Sequence, residues 1–269
     1  RFSAEVRNAA NAVLPRIGPA VCRPRFIQQE VMDDDEAIAI LTRLQKRGSH
    51  GVCLKARDTP KLRAAVTRLT DAGIPVVTLV TDMGGTQRLA YVGLDNAGAG
   101  RTAAYLVART VGQQRGTVLA TRSHDRFAGE EDRATAFARR LAGLCPDLTI
   151  VSVHGGSGVH YETRRLMSGV MDRISDLRAV YSMGGGNLTI LGALAQHKPR
   201  VGVYIGHDLD RDNRAMVLDQ RIDFVLHHDL RVDMSNVFAA FLSHHGITAP
   251  PQQPISTVQI ITPDNVPPI

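Results

Sequence analysis

The stretch YVGLDNAGAGRTAAYLV, residues 91–107, runs from a strand through a polar crossing into a helix. Tyr91-Val92 close an apolar strand, and Asp95-Asn96 offer side-chain oxygens to the unbonded N–H groups of a helix start. Ala97, Gly98, Ala99 and Gly100 follow, so the new helix can lie very close to a neighbouring backbone. On its own the Asp95-Asn96 pair is open to capping, binding or hinging, and a plain cap is the commonest case.

The same alternation of strand and helix extends along the chain. Apolar strand-like runs fall at 51–55, 74–80, 89–94, 116–121, 148–154, 177–183, 200–208, 223–228 and 257–262. Several are near-continuous β-branched runs, as expected of strands buried on both faces. Helical apolar spacing falls at 34–47, 60–72, 97–111, 129–144, 160–174 and 187–197, and the opening RFSAEVRNAANAV reads as an amphipathic helix. This order predicts an α/β protein with parallel sheets and right-handed crossovers. GIPVVTLVTD (73–82) and RVGVYIGHD (200–208) look like equivalent strand ends, each finishing in an Asp, which favours two similar Rossmann-like lobes over one sheet.

A chain of 269 residues is long enough for two lobes with a core each. No apolar run approaches the ~20 residues needed to cross a bilayer, so no membrane association is expected. The opening residues lack the pattern of a secretory signal, which points to the cytoplasm. The net charge of +6 invites a nucleic-acid reading. However, 28 of the 32 basic residues are Arg, scattered and not interleaved with aromatics, so no DNA-contacting face is expected within these residues. Cys22, Cys53 and Cys145 are far apart and odd in number, which argues against a disulfide framework, and Cys53 reads as a small core residue of a strand. His227-His228 and His244-His245 have no matching Cys or carboxylate cluster, so no metal and no cofactor are expected.

In open parallel sheets, ligands gather beyond the carboxyl ends of the strands. The polar residues just past predicted strand ends are Asp82, Asn187, Asp208 and His228, with Arg133 early in a following helix. Carboxylates, amides and guanidinium groups suit sugar hydroxyls, which both donate and accept. Phe2 and Tyr161 are the candidate flat rings for an apolar sugar face. Taken singly, each has a plainer role. Asp82 fits an Asx turn, Arg133 an ion pair with Glu130 or Glu131, Asn187 and Asp208 helix caps, His228 a satisfied strand end, and Phe2 and Tyr161 packing. The clusters HGGSG (154–158) and MGGGN (183–187) read as tight strand-to-helix turns, since neither carries a phosphate-loop pattern. No nucleophile, base and orienting group can be picked out, so no catalytic residues are expected.

GIPVVTLVTDM (73–83), the stretch at 91–107 and IGHDL (205–209) together resemble the sugar-sensing core of lac-repressor-type transcriptional regulators, over nearly the whole chain. That core shares its fold with the type I periplasmic sugar-binding proteins. The resemblance implies a ligand cleft between lobes formed by 1–93 plus 229–257 and by 94–228 plus 258–269, with hinge positions at Gly93, Asp95 and Asp229 and a third crossing near 259–261. It implies sugar contacts from Asp82 and Asp208, and from Arg133 in an Arg-x-x-Gly-aromatic motif whose Gly is here Ala136. It places Asn187 in an Asn-Asp segment written here Gly186-Asn187, His228 where a Gln is common, Tyr161 near an aromatic platform, and Phe2 at the aromatic entry to the first helix. It further implies a homodimer whose sugar effector controls operator DNA through an N-terminal domain outside this chain. Here the family's usual first strand is missing ahead of Phe2, so a truncated N-terminus is expected. A periplasmic sugar-binding protein of a transporter, with the same fold and cleft, is the alternative, and AGAGRTAAYLV (97–107) and the closing VQIITPDNVP (258–267) favour the regulator.

Overall fold

In the computed structural model the described residues are 2–28, 33–123, 128–155, 160–197, 201–251 and 255–268, with the side chains of Phe2 and His160 outside the description. The chain divides into two compact units. The first is made chiefly of Arg1–Leu94 and Asp229–Ser256, the second chiefly of Asp95–Asp125, Gly129–His228 and Thr257–Ile269.

The first unit is built on a four-stranded sheet of β1 (Val52–Leu54), β2 (Val76–Leu79), β3 (Ala90–Leu94) and β9 (Ile255–Ser256), in that order and all parallel. β2 is buried along its whole length, and its alternation divides the core. Val77 and Leu79 pack with Ala10 of α1 (Phe2–Val13) and Val237 and Phe238 of α9 (Leu230–His244). Val76 packs on the other side, with Leu41 of α2 (Asp34–Arg47) and Leu62, Val66 and Leu69 of α3 (Pro60–Asp71). Asp33 caps α2 by accepting from Glu36 N at 2.7 Å, and Thr59 caps α3 with Pro60 behind it. Cys53, expected in the core, is exposed instead. It belongs to an edge strand whose inward position is taken by Val52.

The second unit holds a six-stranded sheet in the order β10-β8-β7-β6-β4-β5. The strands are β4 (Gly116–Arg122), β5 (Leu148–His154), β6 (Leu177–Ser182), β7 (Val203–His207), β8 (Phe224–His227) and β10 (Gln259–Ile261). All pair in parallel except β10, which lies antiparallel on β8. One face is covered by α6 (His160–Met171), α7 (Asn187–His197) and α8 (Arg211–Leu218) through Met167, Met171, Ile190, Leu194 and Val217. On the other face α4 (Asn96–Val111) packs on β6 and β7, and Phe137 of α5 (Ala128–Leu144) packs against Tyr181. No described helix is long and apolar enough to cross a membrane.

The main segments of the two units join at Leu94–Asp95, His228–Asp229 and Ser256–Thr257. The third passage lies upstream of the expected 259–261, because those residues are already committed to β10 in the second sheet. Gly93 sits inside β3, paired with Ile255 of β9. Asp95 and Asp229 cap helices: they accept from Gly98 N and Arg231 N, each at 2.8 Å. Besides the short 3-10 helix Leu14–Arg16, three elements were not anticipated. They are β9, two residues long, α8, an eight-residue helix rich in charge, and α9, whose apolar residues lie on more than one side and make no single stripe.

Candidate functional site

The parallel strands of the second unit bring several of the expected residues to one end of its sheet. Arg133, one turn into α5, is only 4% exposed. Its Nε donates to Asn96 Oδ1 at 2.7 Å and its Nη1 to the Met183 carbonyl, just past β6, at 3.0 Å. The plainer pairing of Arg133 with Glu130 or Glu131 does not form. Glu130 accepts from Ser123 N (2.8 Å) and Ser123 Oγ (2.5 Å), and Glu131 accepts from Arg122. Among the described residues, both partners of the buried guanidinium are therefore neutral, and the Asp95-Asn96 pair has split into a cap and an inward-facing amide.

On the neighbouring strand β7, His207 and Asp208 end the run. Tyr181 Oη and His207 Nε2 are 2.8 Å apart and both side chains are buried. Burial, then the nearby charges of Arg133 and His228, push the His207 imidazole well below its ordinary range, so it is neutral. Its Nδ1 is buried without a hydrogen-bond partner among the described residues. Asp208 has φ +64°, and its half-buried carboxylate lies 3.9 Å from His228 Nε2, beyond β8. His228 is 1% exposed. Arg133, Asp208 and His228 thus share this end of the sheet, joined by Tyr181 and His207, which the sequence did not single out.

Asn187 is turned inward. Its Oδ1 accepts from Tyr204 Oη at 2.9 Å and its Nδ2 donates to Asn213 Oδ1 at 2.8 Å. Tyr161, near the start of α6, stands 78% exposed. Phe2 opens α1, and its side chain lies outside the described residues. Gly184 in the MGGGN turn lies against Ser123, where a Cβ would come within 2.7 Å of its backbone nitrogen, so that turn is tight by necessity. In the other glycine cluster, 156–158 lie outside the described residues.

Asp82 belongs to the first unit and has a full set of partners there. Arg88 grips it with Nε on Oδ1 and Nη2 on Oδ2, both at 2.5 Å, while Thr78 Oγ1 and Met83 N each donate to Oδ1 at 2.8 Å. Burial opposes its ionisation, but the hydrogen bonds from Arg88 and Thr78 and the Arg88 charge hold it below the usual carboxylate range. The bond from Met83 N comes from the next residue, so the clamp is not an Asx turn.

The fold has many solved relatives. GanP, a glucose-galactose binding protein from Geobacillus stearothermophilus, superposes with TM-score 0.84 at 19% identity, over 99% of this chain and 94% of that one. An ABC transporter solute binding protein from Agrobacterium vitis with bound D-fucose gives 0.83 at 18% identity, over 98% and 92%. One from Actinobacillus succinogenes with bound D-allose gives 0.80 at 13%, over 98% and 93%. Comparison with curated proteins gave no match. At such identities the likeness is one of fold: α/β, two lobes, of the type I periplasmic-binding-protein kind. The profile of the periplasmic binding protein domain matches residues 2–233, and the chain belongs to that family.

Proposed function

We propose that this chain binds a small sugar or sugar derivative, without turnover, and serves as the solute-binding protein of a transporter. One observation carries the binding reading. A buried guanidinium whose partners among the described residues are neutral, Arg133, stands at the end of β6, and a half-buried carboxylate, Asp208, at the end of the adjacent β7. A sugar diol accepts from the first and donates to the second. The transport role is supported by the solute-binding proteins among the structural relatives.

The test is a thermal-shift panel of D-glucose, D-galactose, D-fucose, D-allose, D-tagatose, gluconate and glucose 6-phosphate. At about 100 times its dissociation constant a bound compound adds roughly 2.7 kcal/mol, a rise of roughly 5–10 °C for a chain of this size. A selective rise that Arg133→Ala abolishes supports the reading. A flat panel, or a rise indifferent to Arg133→Ala, sinks it.

A second reading keeps the site and changes its use: the effector core of a cytoplasmic lac-repressor-type regulator. It would be a homodimer acting on operator DNA through a domain outside these residues. The observation favouring it is α4, whose AGAGRTAAYLV segment carries the likeness to those regulators. Asp95 caps it and its Gly100 abuts Arg133. Sedimentation separates the two, since a regulator core would run as a dimer and a transport receptor as a monomer. Upstream coding sequence does so independently, through a helix-turn-helix or a secretory signal.

A further inference from the structure

Asp208 adopts a left-handed backbone conformation, φ +64°, at the end of β7. Any residue with a Cβ is disfavoured there, although Asp tolerates it better than most. A single side chain spans the turn. Asn213 Nδ2 donates to the His207 carbonyl at 2.8 Å and to the Asp208 carbonyl at 2.7 Å, tying together the carbonyls on both sides of the Asp208 Cα.

Asn213 is itself held. It lies in the first turn of α8, where its N–H donates to the cap residue Asp210 at 2.8 Å. Its Oδ1 accepts from Asn187, and Asn187 in turn accepts from Tyr204 Oη. Tyr204 is anchored in β7 by its N–H on Asp223 Oδ2 at 2.6 Å. Tyr204, Asn187 and Asn213 are each no more than 5% exposed, so water does not compete for these bonds. Gly206 leaves room for the relay: a Cβ there would lie 3.2 Å from Asn187 Nδ2.

We propose that the relay Tyr204–Asn187–Asn213 is a positioning device. It holds the left-handed turn at Asp208 and so aims that carboxylate at the sugar. Asn213 and Tyr204 set affinity without touching the ligand, and Asn187 acts from behind the site. This rests on the reading above that Asp208 is a sugar contact.

A double-mutant cycle tests it, run by calorimetry with the panel sugar that shifts the melt most. Asp208→Ala should weaken binding by about 100-fold or more, as loss of a charged hydrogen bond does. Asn213→Ala should weaken it by about 10-fold, yet add nothing in the Asp208→Ala background, because the relay acts only through that carboxylate. A merely structural Asn213 would weaken both backgrounds alike, and that additivity, or an unchanged affinity of Asn213→Ala, overturns the proposal. Should Asn213→Ala fail to fold, Tyr204→Phe removes one hydroxyl at the far end of the relay. It should weaken binding about 2–5-fold with the same dependence on Asp208. If Asp208→Ala binds as the wild type does, the sugar-contact reading falls and takes the relay's purpose with it. Loss in Asp208→Ala alone overturns only the relay.

Discussion

Gly100 of α4 and Arg133 of α5 meet backbone to backbone: a Cβ on Gly100 would stand 2.3 Å from the Arg133 carbonyl oxygen and 3.1 Å from its Cα. The depth at which α5 sits on α4 therefore depends on a missing side chain. The same two helices supply the Arg133 guanidinium and the Asn96 amide that orients it. Structure and site share this contact.

Gly100→Ala should accordingly cost about 1–3 kcal/mol by overpacking, lowering the melting temperature by several degrees, and should weaken sugar binding as well. Gly192, mid-way along α7, is the control, since nothing lies within 4 Å of where its Cβ would be. Gly192→Ala should raise stability by roughly 0.5–1 kcal/mol, because Ala loses less chain entropy in a helix. Urea unfolding of both variants is the measurement. Equal behaviour of the two would refute the close-contact account.

The Asp82–Arg88 clamp makes the first unit sensitive to acid. The folded pKa of Asp82 is lowered below its ordinary 3.8, so the unfolded chain takes up the proton first. Its contribution is complete above that ordinary value and is lost as pH falls through the folded pKa. Asp82→Asn should therefore be less stable than the wild type at pH 6, with the gap narrowing below about pH 4. Denaturant titrations across pH 2.5–6 would show this, and a gap independent of pH would remove the clamp from the account.

Much of the architecture is legible in the sequence. Near-continuous runs such as VVTL and AVYS announce strands buried on both faces, and Asp95-Asn96 announces a helix start. α9 escaped because its apolar residues surround the helix, which lies against the sheet on one side and α1 on another, so periodicity blurs. At the site, Arg133 and Asp208 were legible from their places beyond strand ends. What the sequence could not convey was which polar groups would satisfy one another. Arg88 lies six residues beyond Asp82 and could have been suspected as its partner. Asn213 lies 26 residues from Asn187, and only the pairing of β6 with β7, which lead into α7 and α8, makes them neighbours.

Buried neutral His207 supplies a second pH dependence, at higher pH. Its folded pKa lies well below the ordinary 6.5, so below that value the unfolded chain binds a proton that the folded one refuses. Stability associated with His207 is complete above about pH 6.5 and declines as pH falls from there. His207→Gln keeps an acceptor for Tyr181 and cannot titrate. The slope of melting temperature between pH 6.5 and 5 should be shallower in this variant than in the wild type. Identical slopes would mean that His207 does not carry the dependence.

The end of β2 stores strain of a different kind. Val80 has φ +66°, a conformation that a β-branched residue rarely adopts. It is held by its N–H on the Val92 carbonyl at 2.9 Å and by Tyr91 Oη on its own carbonyl at 3.2 Å. Gly93, at φ +152°, makes room: a Cβ there would meet the Tyr91 hydroxyl at 2.8 Å and Val80 Cα and N at 3.0 Å. Gly93→Ala should thus cost upwards of about 2 kcal/mol, from backbone strain and from a contact that cannot rotate away. Because the contacts are with the Tyr91 hydroxyl and Val80 backbone atoms, Val80→Gly should not rescue Gly93→Ala, although it relieves Val80's own strain. Val80→Asn should cost little, since Asn tolerates this backbone region and offsets the lost apolar contact of a half-buried side chain. Urea unfolding of the single and double variants decides the matter. Rescue of Gly93→Ala by Val80→Gly would place the clash in the Val80 side chain and overturn this account.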